Sequence, residues 1–145
     1  MYFDTAYLAR LYLDDAGSAE VRALVESAST LPASLAHARA EMVAAFHRCL
    51  REKRINAARL SELLDQFGDD CEAGMFLWLP LTDAVLDRVS AIYRKAPASL
   101  FLRAGDALHL ACAQEEGYRE IYSNDARLLA GARHLGLRGR NIIKG

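Results

Sequence analysis

The segment Arg103–Ala113, with the sequence RAGDALHLACA, decides how this chain is expected to fold. Gly105 interrupts what precedes it, so Asp106 stands where a helix would begin, and Gly117 is a stop signal eleven residues later. The residues after Asp106 are mostly apolar, which predicts a helix packed on nearly every side. An acid at the mouth of such a helix either caps its free N–H groups or faces a cleft as a metal ligand.

Length and composition indicate one domain. The chain has 145 residues, of which 52% are hydrophobic, and a net charge of −1, so it is not a general polycation that would attract nucleic acid. Its three cysteines, Cys49, Cys71 and Cys112, form no CxxC pair and suit the reduced thiols of a cytoplasmic protein. We expect no signal peptide and no membrane span, and we predict a single cytoplasmic domain over residues 1–145.

Short apolar segments alternate with segments of helical periodicity. The predicted strands are Met1–Phe3, Leu31–Ala33, Met75–Leu81, Glu120–Ser123 and Asn141–Ile143. The predicted helices include Ala6–Leu13, Ser18–Ser27, Ser34–Arg54 with Ser34 as its cap, a helix capped by Asn56, and a helix that begins at Thr82 or Asp83 and ends near Lys95. The run Met75–Leu81 has the strongest signal for a central strand. This alternation predicts an α/β fold, a parallel sheet of about five strands with helices on both faces.

Four acids are predicted to meet at one edge of this sheet. Asp4 and Asp125 follow the first and fourth predicted strands, whereas Asp106 begins a helix and Glu41 lies early in one. Each has a structural alternative as a cap or as a solvated helix residue. Four carboxylates in one cleft would raise each other's pKa and destabilise the fold, so such a set usually holds a cation. Oxygen ligands suit Mg²⁺ or Mn²⁺, ions that activate water and neutralise charge on a phosphate.

The chain resembles PIN-domain ribonucleases of the VapC toxin type. The segments that carry the resemblance are Tyr2–Ala6 with Leu8, Ala40–Phe46, Ala104–Ala111, and Ser123–Asp125 with Leu128, Ala132 and Gly136. They follow the order and spacing of the family over essentially the whole chain, which implies a PIN-like single domain. The resemblance also implies that Asp4, Glu41, Asp106 and Asp125 are the catalytic, metal-binding acids. Thr5 and Ser123 would be supporting hydroxyls, with Ser123 standing where the family commonly has Thr.

The implied activity is that of a Mg²⁺- or Mn²⁺-dependent endoribonuclease, the toxin of a VapBC-type toxin–antitoxin pair. The implied partners are an RNA substrate, a cognate antitoxin, and further subunits in a homodimer or a toxin–antitoxin hetero-oligomer. Two alternatives stay open: a non-catalytic PIN-type module that binds RNA or protein, and a divalent-metal phosphatase.

Three further features have both a structural and a functional interpretation. The basic cluster Arg48, Arg51, Lys53 and Arg54 either complements a helix dipole or contacts an RNA backbone. His37 and Glu41 lie four residues apart and form a weak candidate zinc pair. His109, three residues after Asp106, either touches the site or is a packed, hydrogen-bonded histidine.

Overall fold

The computed structural model describes residues 1–143, so the last two residues of the predicted domain lie outside it. Within that range the strands are β1 (Tyr2–Phe3), β2 (Ala33–Leu35), β3 (Leu77–Leu79), β4 (Glu120–Tyr122) and β5 (Arg138–Arg140). The helices are α1 (Thr5–Ala9), α2 (Ser18–Ser27), α3 (Ala38–Arg51), α4 (Ala57–Glu72), α5 (Asp83–Lys95), α6 (Ala104–Glu115) and α7 (Ala126–His134). None of these helices has the length and apolar character that a membrane span requires.

The five described strands form one parallel sheet in the order β3-β2-β1-β4-β5. The predicted α/β architecture is therefore confirmed. The chain adds β2 and β3 on one side of β1 and later β4 and β5 on the other, so the strand order reverses between β1 and β4. Parallel sheets bind ligands beyond the carboxyl ends of their strands at such a reversal. Asp4 directly follows β1, and Ser123 directly follows β4.

The sheet separates two apolar cores. Tyr2 and Ile121 point to one face, where they join buried residues of α5, α6 and α7. Their neighbours Phe3 and Tyr122 point to the other face, where they pack against α1, α2, α3 and α4. This alternation follows from the two-residue period of a strand, and it places helices on both faces as predicted. It also explains why α6 is buried over most of its length, from Asp106 to Ala113, with only Leu108 partly exposed.

Two predicted strands are shifted along the chain. Pro32 precedes β2, which begins at Ala33 and extends through Ser34 to Leu35, so the predicted cap Ser34 is a strand residue. Its hydroxyl donates to the Phe3 carbonyl at 2.8 Å, and α3 begins only at Ala38. The last strand is Arg138–Arg140, whereas the predicted segment Asn141–Ile143 follows it as irregular chain. Both errors arose because the pairing partner, not local hydrophobicity, decides which residues form a short strand.

The prediction that Met75–Leu81 is a central strand is wrong. Only Leu77–Leu79 forms β3, which lies at the edge of the sheet, and Leu77 is 48% exposed. The start of α6 also differs from the prediction. Arg103 is the N-cap residue and Gly105 lies inside the first turn, so Asp106 is the third helical residue. Its carboxylate accepts a hydrogen bond from the Arg103 backbone, which forms half of a capping box.

Candidate active site

The four predicted acids line one cleft of about 750 Å³ at the carboxyl end of the sheet. Asp4 comes from the end of β1, Glu41 from the first turn of α3, Asp106 from the first turn of α6, and Asp125 from the N-cap of α7. Thr5, His109 and Asn124 line the same cleft. The sequence therefore identified a set of acids that the fold brings together.

Capping and facing the cleft are not mutually exclusive for these acids. Oδ1 of Asp4 caps α1 by accepting the Tyr7 N–H at 2.8 Å, and Oδ1 of Asp125 caps α7 by accepting the Arg127 N–H at 2.8 Å. In each residue the second oxygen takes a different partner: Ser123 Oγ donates to Oδ2 of Asp4, and Arg103 Nη2 donates to Oδ2 of Asp125. Each cap thus fixes one oxygen and orients the carboxylate toward the cleft.

Ser123 connects two of the acids. Its side chain is fully buried, its hydroxyl donates to Asp4, and its oxygen accepts the Asp125 N–H at 2.9 Å. Burial raises the pKa of the Asp4 carboxyl, and the hydrogen bond from Ser123 partly offsets that rise. Ser123 therefore stabilises the charged form of Asp4 while holding the start of the Asn124–Asp125 turn.

His109 contacts Glu41 and two hydroxyl groups in the site. Its Nδ1 lies 3.0 Å from the buried Tyr2 hydroxyl, and its Nε2 lies 3.2 Å from Thr5 Oγ1 and 3.4 Å from Glu41 Oε1. Because the Thr5 hydroxyl donates its single proton to Glu41 Oε1 at 3.0 Å, Nε2 must donate to Thr5 Oγ1; in a neutral imidazole Nδ1 is then the acceptor of the Tyr2 hydroxyl. The contact with His109 lowers the pKa of Glu41 despite its partial burial. Both interpretations of His109 therefore hold: it is packed and it touches the site.

Arg103 lies in the cleft and was not predicted from the sequence. Its Nε and Nη2 donate to Asp106 at 3.1 and 3.3 Å, and Nη2 also donates to Asp125. These carboxylates raise the pKa of the guanidinium, and Asp106 makes the largest contribution. The only available signal was the three-residue spacing of Arg103 and Asp106 across a helix start, a common position for an ion pair.

The basic cluster predicted on and after α3 is divided by the fold. Arg48 and Arg51 line the acidic cleft, and so does Arg10, which the sequence analysis did not select. Lys53 and Arg54 instead line a separate depression with Asn56 and Arg59. Arg54 is engaged in an ion pair with Asp15.

The residues present fit a hard divalent ion by their chemistry, because the acids that line the cleft offer carboxylate oxygens. The spacing of these acids, however, is not that of a metal site. Among residues 1–143, no three Asp, Glu, His or Cys side chains stand close enough together to hold an ion. The candidate zinc pair gains no support either, since His37 is exposed and does not line the cleft. A cation does occupy part of the cleft: the Arg103 guanidinium bridges Asp106 and Asp125.

Comparisons with solved structures identify the fold. The chain matches the structure of FitAcB from Neisseria gonorrhoeae with a TM-score of 0.73 at 17% identity, over 97% of this chain and 96% of that one. It matches VapC20 of Mycobacterium tuberculosis, described as a sarcin-ricin loop cleaving toxin, with a TM-score of 0.65 at 15% identity, over 89% and 92%. A toxin–antitoxin complex from Klebsiella pneumoniae matches with a TM-score of 0.61 at 18% identity, over 90% of each chain.

No curated protein sequence matches the chain. The similarities to solved structures, all at low identity, concern the fold alone. The sequence, however, matches the PIN domain family over residues 1–133, which is most of its length. The order of the five strands and the acidic cleft at the strand reversal agree with that assignment. The chain belongs to the PIN domain family.

Proposed function

We propose that this protein is a metal-dependent endoribonuclease and the toxin of a VapBC-type toxin–antitoxin pair. One observation carries the proposal: in a chain of the PIN domain family, four carboxylates line a single cleft at the reversal of the strand order. The structural neighbours support it, since one is described as a sarcin-ricin loop cleaving toxin and another as a toxin–antitoxin complex. The proposed location is the cytoplasm, where an RNA substrate would be met.

Asp4, Glu41 and Asp106 would hold the ion, and Asp125 would help to hold it or to position the attacking water. A bound Mg²⁺ or Mn²⁺ would supply Lewis acidity and a water of lowered pKa. Ser123 would keep the buried Asp4 charged, and Thr5 with His109 would fix the orientation of Glu41. The contribution of the protein is thus preorganised charge at the place where a phosphodiester would be attacked.

The cleft also offers a path for the RNA backbone. Arg10, Arg48 and Arg51 line the same cleft as the four acids, so cationic groups lie beside the anionic centre. A phosphodiester chain that reaches the acids would pass these guanidiniums, and each contact would release condensed counterions. The division of the basic cluster makes Arg48 and Arg51 the better candidates for RNA contact, whereas Lys53 and Arg54 lie outside the cleft.

The proposed protein partner is an antitoxin that inserts a basic side chain into the cleft. Arg suits this role because its planar fork can bind paired carboxylates, as Arg103 already does with Asp106 and Asp125. Further subunits, in a homodimer or a toxin–antitoxin hetero-oligomer, would complete the assembly. Antitoxin affinity should fall in Asp4→Asn and Asp106→Asn variants; unchanged affinity in both would contradict the charge-based mode.

The proposal is tested by cleavage of RNA in Mg²⁺ or Mn²⁺ with and without excess EDTA. Water attack in line predicts products with 5′-phosphate and 3′-hydroxyl ends, and Asp4→Asn should abolish them. Glu115→Gln is the matched control, because Glu115 is an acid of α6 outside the cleft that pairs with Arg88. Cyclic phosphate ends, or full activity in EDTA, would rule out the mechanism.

Two alternative functions predict other results when the same purified protein is assayed. A non-catalytic PIN-type module would bind RNA without cutting it in any metal. A divalent-metal phosphatase would hydrolyse a chromogenic phosphate monoester and leave RNA intact. The positions of Arg48 and Arg51 along the cleft favour a polymeric phosphodiester over a small ester.

A further inference from the structure

Arg103 occupies the position between two of the candidate metal ligands. It is the N-cap residue of α6, and its guanidinium forms a fork on Asp106: Nε lies 3.1 Å from Oδ2 and Nη2 lies 3.3 Å from Oδ1. Nη2 also donates to Oδ2 of Asp125. One side chain therefore binds two carboxylates that come from different helices.

These contacts leave few free oxygens on the two acids. Both oxygens of Asp106 accept from Arg103: Oδ1 accepts from Nη2, and Oδ2 accepts from Nε and also from the Arg103 backbone N–H at 3.3 Å. In Asp125, Oδ2 accepts from Arg103 and Oδ1 accepts two N–H groups of α7. Glu41 differs from these two acids because its Oε2 faces Gly105 of α6. This oxygen lies 3.7 Å from the point where a Cβ on Gly105 would stand. The guanidinium thus engages the side of the cleft formed by α6 and α7.

We propose that Arg103 is an internal counter-ion of the cleft, which holds Asp106 and Asp125 together in the metal-free protein and competes with a divalent cation for them. The inference rests on the proposed function in one respect, namely that the acidic cleft binds a divalent ion. The inference goes beyond the proposed function because it assigns the control of metal affinity to Arg103.

Two physical features make the interaction competitive. The guanidinium and a divalent ion carry charge of the same sign, so both cannot stand between the same carboxylates without strong repulsion. The Arg103 side chain is also 53% exposed, against 10% for Asp106, so it can leave toward solvent while the acid stays in place. Exchange of one cation for the other therefore begins with a side-chain rotation of Arg103.

The decisive experiment is Mn²⁺ binding, measured by calorimetry and by the EPR signal of free Mn²⁺, with no substrate present. Arg103→Gln removes the competing charge, so we expect it to bind Mn²⁺ about tenfold more tightly than the wild type, within the usual range of coupling between two sites. Arg103→Lys, which keeps the charge but loses the fork, should fall in between. Arg88→Gln is the matched control, because it breaks an ion pair to the same helix outside the cleft and should bind like the wild type.

Stability provides a second readout that does not depend on catalysis. Without metal, Arg103→Gln should melt at a lower temperature than the wild type, because Asp106 and Asp125 lose their shared partner. Saturating Mn²⁺ should then raise its melting temperature by more than it raises that of the wild type. If Arg103→Gln does not fold, the Arg103→Lys comparison alone decides.

The outcomes separate this inference from the proposed function. Equal or weaker Mn²⁺ binding by the Arg103 variants, with clear binding by the wild type, would overturn the counter-ion role and leave the metal site standing. Absence of Mn²⁺ binding in the wild type and all variants would overturn the metal site, and the inference with it.

Discussion

The substitution Asp106→Asn tests how charge is balanced in the metal-free cleft. From sequence alone, removing one of four clustered acids should relieve repulsion and stabilise the protein. The structure predicts the opposite sign, because the Asp106 carboxylate is paired with Arg103 through Nε and Nη2 at 3.1 and 3.3 Å. Asparagine keeps the size of the side chain and can still accept the Arg103 backbone N–H, but it loses the charge that binds the guanidinium.

The magnitude follows from the exposure of the two partners. Hydrogen bonds to charged groups contribute about 1.5–3 kcal/mol when both partners are well buried. Here the Asp106 side chain is 10% exposed but that of Arg103 is 53% exposed, so solvent screens much of the interaction. We expect a loss of about 1 kcal/mol in the free energy of unfolding. For a domain of this size that is a fall in melting temperature of about 3 °C.

The assay is thermal melting in EDTA at low and high salt, beside one cleavage assay. The loss should shrink in high salt, because the pair is half exposed, and it should vanish in an Arg103→Gln background, where no guanidinium remains to bind. Glu115→Gln serves as the control for breaking a surface ion pair on α6. Cleavage by Asp106→Asn should fall by orders of magnitude. A metal-free variant that melts above the wild type, or an equal loss in both backgrounds, would show that the pair with Arg103 does not stabilise the metal-free protein.

Asp4→Asn should have the opposite effect on stability. Burial raises the pKa of Asp4 in the folded state, so its charge destabilises the fold once the pH rises through that pKa. The metal-free variant should therefore melt at or above the wild type at pH 7 and match it below the unfolded carboxyl pKa, as thermal melts across that range would measure. Among the thiols, burial raises the pKa of Cys112 to about 11, so a disulfide reagent at pH 8 should modify the half-buried Cys71 first, as peptide mapping would reveal. Arg48→Gln and Arg51→Gln should each raise KM for an RNA oligonucleotide more than they lower kcat, and should reduce the salt dependence of binding, measured by titration at several salt concentrations.

Each of these predictions has an outcome that would contradict it. Because asparagine keeps the cap of α1, a falling melting temperature for Asp4→Asn at neutral pH would mean that the charge-assisted hydrogen bond from Ser123 outweighs the cost of the buried charge. Modification of Cys112 before Cys71 would show that α6 opens readily. For the arginines, Lys53→Gln is the matched control, because Lys53 is exposed and lies outside the cleft. An equal effect of Lys53→Gln would place RNA binding elsewhere on the surface.

The sequence predicted those parts of the fold that local chemistry determines. Asn56 caps α4 as predicted, α5 begins at Asp83 directly after its cap Thr82, and Gly117 takes the left-handed conformation that follows α6. The positions of the strands were harder to predict, because pairing with distant segments determines which residues form β2 and β5. The apolar run around Leu77 predicted a strand correctly but not its place at the sheet edge, since hydrophobicity does not determine strand order.

The positions of the four candidate acids in one cleft were also predicted, whereas that of Arg103 was not. Asp4 and Asp125 were predicted because acids at strand ends converge in a parallel sheet. Glu41 and Asp106 were predicted from their positions near helix starts and from the family resemblance. The role of Arg103 depends on a contact between α6 and the N-cap of α7, which no local pattern contains. For the same reason the sequence overstated the repulsion among the acids: it counted the four negative charges but could not place the cation between two of them.

The most direct test of the account is the anomalous diffraction of Mn²⁺ in crystals grown with the ion. We predict a peak in the cleft, with carboxylate oxygens of Asp4, Glu41 and Asp106 as ligands and the Arg103 side chain turned away from Asp106. A peak elsewhere, or a cleft without Mn²⁺ in a protein that still cleaves RNA in EDTA, would contradict the claim that this acidic cleft is a divalent-metal nuclease site.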